Sequence, residues 1–396
     1  MTTRLYYAES TLRTFDATVV SCDRRADHIE VVLDRTAFYP TSGGQPFDTG
    51  TLGAARVLDV VEREDGEIAH VVSDALPAGA RVAGEIDWPR RFDHMQQHTG
   101  QHVLSAACDR LLQVRTVSFH LGAISSTIDL AREISPKEIE RVEAESNRIV
   151  WEDRPVSIRF ADEEEAARLP LRKEPTRGGR LRLIDVEQFD LSACGGTHVA
   201  RTGAIGVIAV SGWEKFRGGS RVEFVCGGRA LHAHRQLRDT IAASIRLLSV
   251  LPQELPGAIE RLQNDGKEQR RRVKDLQTEL AGHQAGALAA AAETIGNARV
   301  VIASLEGWDA PGLKTIASAI VERPGHVAIL VSSPAPAAIV IARASDQQVD
   351  SAALLKQIVA RFGGKGGGRP ELAQGGGLDA PAAALVSAAR SLLQPS

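Results

Sequence analysis

The chain has 396 residues, 43% hydrophobic and 24% charged, with a formal net charge of -3. That length allows two or three domains with separate cores, and the near-neutral balance excludes a global polyelectrolyte. Any nucleic-acid surface must therefore be a local basic patch. Cys22, Cys108, Cys194 and Cys226 are too scattered for a disulfide framework. Together with the absence of a signal-like or membrane-length apolar run, they lead to the expectation of a cytoplasmic protein without membrane contact.

Residues 1–89 carry short β-branched runs bounded by Asp, Gly or Pro: Thr18–Cys22, His28–Leu33, Arg56–Val61, Val71–Val72 and Arg81–Ile86. Strands this closely spaced, without helices between them, predict a small β-barrel. Among them lies TAFYPTSGGQPFDTG, residues 36–50. Gly43 and Gly44 permit a tight turn and a close approach by another group, and Tyr39 and Gln45 flank it. A plain hairpin turn is the simpler interpretation; a pocket wall is the alternative.

Residues 90–230 change texture. Asp93–Leu112 has helical spacing at Met95, Val103, Leu104, Ala107 and Leu111. Strands are expected at Thr116–His120 and Ser126–Leu130. A capping box at Ser135-Pro-Lys-Glu138 opens a second helix. Further strands near 156–160, 182–186, 205–211 and 221–226 complete an α+β domain. Residues 231–295 form a helical arm: Ile259, Leu262, Val273, Leu276 and Leu280 follow heptad steps that Gly266 and Gln269 interrupt. Residues 296–396 alternate strands with helices, as a small α/β domain does, and include the glycine-rich stretch 363–368. The predicted class is multidomain α+β.

Within this framework His98 and His102 lie four apart on one helix face, and Cys194 and His198 repeat that offset on a glycine turn. One pair of histidines is weak evidence, being common on solvated faces. The two pairs together supply three nitrogens and a sulfur, a tetrahedral set for zinc, Zn2+. His94 lies on the same stripe. Thr99 stands where a zinc protease has its glutamate, so that chemistry is disfavoured. The competing interpretation is a purely structural zinc. Lys365 is followed by Gly366, which argues against a nucleoside triphosphate loop; Lys365 and Arg369 could instead meet a ribose-phosphate backbone, or the stretch could be a flexible linker. Basic residues Arg172 and Lys173 precede the Cys194 loop, and Lys215 and Arg217 follow it, as a polyanion leading into the site would require.

The segments TAFYPTSGGQPFDTG, DHMQQHTGQHVLSA and CGGTHVARTGAIG resemble, in that order, the editing portion of alanyl-tRNA synthetase. They resemble the free-standing alanyl-tRNA editing proteins, AlaX, in their longer form still more closely. GGKGGGRPELAQGGG resembles the C-terminal domain shared by alanyl-tRNA synthetases and DHH-type phosphoesterases. The resemblance implies a trans-editing hydrolase that deacylates tRNA(Ala) carrying serine, and glycine as a second substrate, without aminoacylation. It maps metal ligands onto His98, His102, Cys194 and His198, and the glycine loop onto Gly43, Gly44 and Gln45, with Ser42 where the family often has a third glycine. It places a discriminating hydroxyl at Thr116 or Ser118. Gln45 and His120 are candidates for aligning water or the terminal adenosine. A homodimer through the arm or the C-terminal domain is the expected assembly. The rival from another class is a non-catalytic, zinc-stabilised tRNA-binding protein. A phosphoesterase lacks its Asp-His-His motif, because Met95 follows Asp93-His94.

Overall fold

Alternation of β-branched and polar residues builds the first strands, whose apolar faces close on one another. The computed structural model describes residues 2–172, 180–333 and 335–393, and the chain divides into two units, residues 1–243 and 244–396. In the first, β1 (Thr3–Arg4) pairs in parallel with β4 (Arg35–Thr36). Strands β2 (Thr14–Arg24), β3 (Ile29–Leu33), β5 (Gly50–Leu52), β6 (Ala55–Glu62), β7 (Ile68–Val72) and β8 (Arg81–Ile86) form a closed barrel in the order β2-β3-β7-β6-β5-β8. Val19, Val31, Leu33, Phe38, Leu52 and Ile68 fill it.

Helix α1 (Trp88–Leu112) starts at Asp87, whose side chain accepts from the Arg90 amide, with Pro89 in the first turn. Arg91 fastens this helix to the barrel. Its guanidinium is fully buried against the Asp48 carboxylate and also donates to the carbonyls of Ser10 and Ala37. Such a pair is stable only when every donor is satisfied, and this one is well supplied. After α1 come β9 (Thr116–Leu121), β10 (Ser126–Leu130), α2 (Pro136–Trp151), β11 (Val156–Ala161), α3 (Glu163–Arg168), β12 (Leu181–Val186), β13 (Asp190–Ala193), β14 (Ile208–Phe216), β15 (Gly219–Cys226) and α4 (Gly227–Leu248). The predicted capping box is present: the Ser135 amide donates to Glu138 and the Glu138 amide to Ser135. A four-stranded sheet β14-β15-β10-β9 packs one face on α1 and α2, and β11-β12-β13 form a separate small sheet. Gln97 secures α1 to β15 by exchanging both amide bonds with Cys226, at 2.8 and 3.1 Å. Gly100 lies where the helix crosses that strand, and a Cβ there would fall 2.3 Å from the Cys226 sulfur.

In the second unit α5 (Leu255–Ala290) is one continuous helix of 36 residues, despite Gly266. Its apolar seam at Ile259, Leu262, Val273, Leu276 and Leu280 is exposed, while Ala281, Ala285 and Ala289 are buried in the core shared with α6 (Ala310–Val321). A six-stranded sheet follows, in the order β16-β17-β18-β19-β21-β20. Its strands are β16 (Glu293–Ile295), β17 (Ala298–Glu306), β18 (His326–Ser333), β19 (Ala337–Arg343), β20 (Lys365–Gly368) and β21 (Leu372–Leu378), with α7 (Ser351–Phe362) and α8 (Ala382–Leu393). Within the stretch 363–368, Gly363 and Gly364 connect α7 to a strand, and Lys365–Gly368 pair antiparallel with β21 rather than forming a linker. Here glycine serves closeness of strands, since a Cβ on Gly366 would lie 2.6 Å from the Gly375 Cα. Among the described residues, no helix is long and apolar enough to cross a membrane.

His70 lies wholly inside the barrel, its Nδ1 3.0 Å from the Val31 carbonyl and its Nε2 2.8 Å from the Thr36 hydroxyl. Burial drives its pKa down to about 4 from 6.5, so the native ring stays neutral where the unfolded one takes up a proton. Its contribution is complete above pH 6.5 and is lost as pH falls toward 4, amounting to about 3 kcal/mol. Urea unfolding at pH 7 and pH 4 should show wild type losing that much more stability than His70→Gln; equal losses would assign the acid sensitivity elsewhere.

Candidate metal centre

Two segments remote in sequence meet at one point. Helix α1 presents His98 and His102, and the turn after β13 presents Cys194 and His198; one ligand atom from each lies within 4.8 Å of all the others, so the four could hold a metal ion. His98 Nε2 is 3.3 Å, and His198 Nε2 3.4 Å, from the Cys194 sulfur. Two ligand atoms on a tetrahedral zinc stand about 3.5 Å apart, given bonds of about 2.0 Å to nitrogen and about 2.3 Å to sulfur.

The outer partners explain why all three rings face inward. His98 Nδ1 meets Gln45 Oε1 at 2.8 Å, His102 Nδ1 meets Asp190 at 2.9 Å, and His198 Nδ1 meets the Thr99 hydroxyl at 3.2 Å. With each Nδ1 engaged, every Nε2 is left toward the sulfur, as ligating histidines require. The donor set and its tautomers thus fit a metal ion. Gln45 is used at both ends: Oε1 also accepts from the Thr197 amide at 3.0 Å, and Nε2 donates to the Thr197 hydroxyl at 2.8 Å.

The glycine turn of the barrel forms one wall. Ser42 and Gln45 exchange backbone bonds of 3.1 and 2.9 Å around Gly43 and Gly44, both with positive φ; this is a two-residue hairpin. Ser42 is outside the positive-φ pair, so its departure from glycine leaves the backbone path intact. The Gly44 carbonyl accepts from the Leu121 amide at 3.3 Å, capping the edge of β9. A Cβ on Gly44 would lie 2.9 Å from the Phe119 ring, whose centroid is 5.9 Å from that of His98.

Charges reinforce the arrangement. Burial pushes the Cys194 thiol up, but the imidazoles of His98, His198 and His102 prevail and hold it well below its usual value. Burial lowers His102, yet bonds to Asp190 and Cys194 bring it to about 9. His198 is pushed down to about 3 by burial and by His98. Asp190 is opposed by burial but kept ionised by His102 and Arg172. A metal held here would take Cys194 as thiolate and the three histidines as neutral imidazoles.

The structure relocates several predicted residues. Tyr39 is buried: its hydroxyl donates to the Ser42 carbonyl at 3.0 Å and its ring abuts Tyr6. A bulge in β9 leaves Val117 unpaired, because Ser118 faces Asp129 while Thr116 faces Leu130. Thr116 therefore turns to α1, 2.8 Å from the Ser105 hydroxyl, whereas Ser118 bonds Asp129 on the outer face. His120 is exposed on that same outer face, alternate to Phe119, and stands outside the cluster. His94 is buried but also outside it. Arg172 is no surface cation: it pairs with Asp190 at 2.6 Å. Lys173 lies outside the described residues. Lys215 is exposed and paired with Glu133. Arg217 lies in the turn after β14, over the Phe216 ring. Lys365 and Arg369 are exposed in and beside the β20 strand. Sequence reasoning missed Asp190, Thr99, Thr197 and Phe119; only the two threonines, each beside a ligand histidine, had a local signal.

Gln45→Ala frees His98 to rotate. It should weaken metal affinity about 10- to 100-fold in a chelator competition and also lower the melting temperature, because Gln45 is fully buried and the Thr197 amide loses its acceptor; unchanged affinity would remove Gln45 from the support of the site.

Three family models match the chain: tRNA synthetases class II (A) over residues 5–90, the threonyl and alanyl tRNA synthetase second additional domain over 181–223, and the DHHA1 domain over 297–394. The alanyl-tRNA editing protein AlaX-L of Pyrococcus horikoshii is 34% identical over 390 residues, covering 95% of this chain and 94% of that protein. Alanine–tRNA ligases of Natronomonas pharaonis and Methanoregula boonei are each 35% identical over 96% and 95% of this chain, which spans 42% of either ligase. By its identity and coverage to the Pyrococcus protein, the chain belongs to the family of alanyl-tRNA editing protein AlaX-L.

Proposed function

We propose that the chain is a zinc-dependent trans-editing hydrolase. It would cleave the ester of mischarged tRNA(Ala), chiefly Ser-tRNA(Ala) and secondarily Gly-tRNA(Ala). The observation that carries this proposal is the convergence of His98, His102, Cys194 and His198 beside the barrel's glycine turn. Three imidazoles and one thiolate suit zinc above other common metals. When bound, the ion supplies a Lewis acid toward the ester carbonyl, weakened by the thiolate, so that orientation outweighs activation.

The protein's own groups would do the rest. Gln45 holds His98 and the Thr197 amide in place. The side chain best placed to sense a serine hydroxyl is Thr116, which faces α1 one turn beyond His102; Ser118 and His120 turn outward. A site that hydrogen-bonds serine leaves a polar group unpaired when alanine enters, which inverts the preference of a synthetase pocket. Lys215 and Arg217 in the first unit, and Lys365 and Arg369 in the second, are the exposed cations proposed to meet the RNA backbone.

The purified chain should hydrolyse Ser-tRNA(Ala) far faster than Ala-tRNA(Ala) and lose that activity on chelation, recovering it with zinc. Binding without loss of the acyl group would instead establish a non-catalytic tRNA-binding protein. Lys365→Glu with Arg369→Glu should raise KM several-fold and flatten its salt dependence while leaving kcat unchanged; an unaltered KM would remove the hairpin from the RNA interface.

A further inference from the structure

We infer that Arg182 is a positioning residue for the metal-binding turn, holding Cys194–Gly196 in the one conformation that offers the sulfur to the three imidazoles. The inference rests on the proposal that the four-residue cluster binds zinc, and it concerns a residue outside that cluster.

Arg182 projects from β12 and is 7% exposed. Its Nη1 donates to two carbonyls of the turn, Cys194 at 2.7 Å and Gly196 at 2.9 Å, and its Nε donates to the Tyr7 carbonyl at 2.9 Å. Its own carbonyl accepts from the Cys194 amide at 3.1 Å. The residue therefore grips Cys194 on both backbone sides and joins it to the N-terminal segment. The surroundings suit this task. Tyr7 has the guanidinium 5.5 Å from its ring, and Tyr6 touches both Tyr7 and Tyr39 edge-on, which joins the three tyrosines of the chain beside it.

Among the described residues, no carboxylate forms an ion pair with Arg182, although the other deeply buried guanidinium, Arg91, has Asp48. A buried cation that meets backbone carbonyls and the neighbouring Cys194 sulfur, and whose Nη2 has no hydrogen-bond partner among the described residues, is costly as pure scaffolding, since an apolar side chain would fill the space more cheaply. It is well suited to a turn that must not relax. The chain bends at Gly196, which follows Gly195 and must remain glycine, because a Cβ would fall 2.1 Å from the His98 ring. Two successive glycines are also the most mobile link the backbone can have. Arginine resolves that conflict by reaching across the turn with a rigid planar fork. A lysine ammonium at the same position is a single point that cannot serve the turn and Tyr7 together. Preorganising a loop strengthens binding by sparing the ordering cost at the moment of capture.

The test uses the full chain with Arg182→Met and Arg182→Lys. Zinc affinity is read by chelator competition, the metal-free melting temperature is recorded, and kcat and KM for Ser-tRNA(Ala) are measured at saturating zinc. We expect a 10- to 100-fold loss of zinc affinity in the methionine variant, a smaller loss with lysine, and kcat and KM near wild type once zinc saturates. Zinc affinity equal to wild type in both variants would overturn the inference, whether or not melting falls, since that outcome makes Arg182 part of the scaffold only. A raised KM with unchanged affinity would also overturn it, by making Arg182 a substrate contact. Should the methionine variant fail to fold, the lysine variant decides by the same readings. If wild type itself binds no zinc, or His198→Ala binds it equally well, the metal assignment fails first and takes this inference with it.

Discussion

The amide of Gln45 is the joint on which the first unit's site depends. It belongs to a barrel turn, yet all its hydrogen bonds run to the helix and loop that carry the ligands. If barrel and helix were displaced by even an ångström, His98 would lose the acceptor that fixes its tautomer. The buried pair of Arg91 and Asp48, about two helical turns before His98, sets that distance from the other side. The barrel is thus part of the site's geometry as well as its neighbour. The same economy appears in Asp48, which also accepts from the Tyr39 amide at the root of the glycine turn.

The groups behind the ligands show how a buried cluster of three imidazoles and a thiol is kept from neutralising itself. Asp190 is wholly buried, and alone it would shed its charge. Arg172 supplies the compensating cation, and the Ser192 hydroxyl donates to the same carboxylate. The ionised carboxylate in turn orients His102. An arginine that sequence alone would give to the RNA is thereby committed to the support of His102. Arg182 does comparable work on the opposite side of Cys194, through carbonyls.

Much of this was legible in the residues. HxxxH on an apolar-faced segment and CxxxH around two glycines declare their geometry locally, because helix and turn rules act over four residues. Gly43-Gly44 between Ser42 and Gln45 likewise announces a primed turn. The barrel strands declare themselves through β-branched runs. What stayed hidden depends on pairing between distant segments. The bulge at Val117 reverses which hydroxyl of β9 looks inward, and nothing in TVSFH reports it; the register with β10 does. The glycines of 363–368 look like a linker because glycine has little strand propensity of its own, and only β21 beside them makes a strand. Asp190 carries no local mark, since its role comes from a histidine 88 positions away.

The central claim, a metal held by one sulfur and three imidazoles, is tested most directly by X-ray absorption at the zinc edge of the purified, zinc-loaded protein. The account predicts one sulfur at about 2.3 Å and three nitrogens at about 2.0 Å, with the sulfur shell lost in Cys194→Ala. A first shell without sulfur, or a spectrum that Cys194→Ala leaves unchanged, would contradict it.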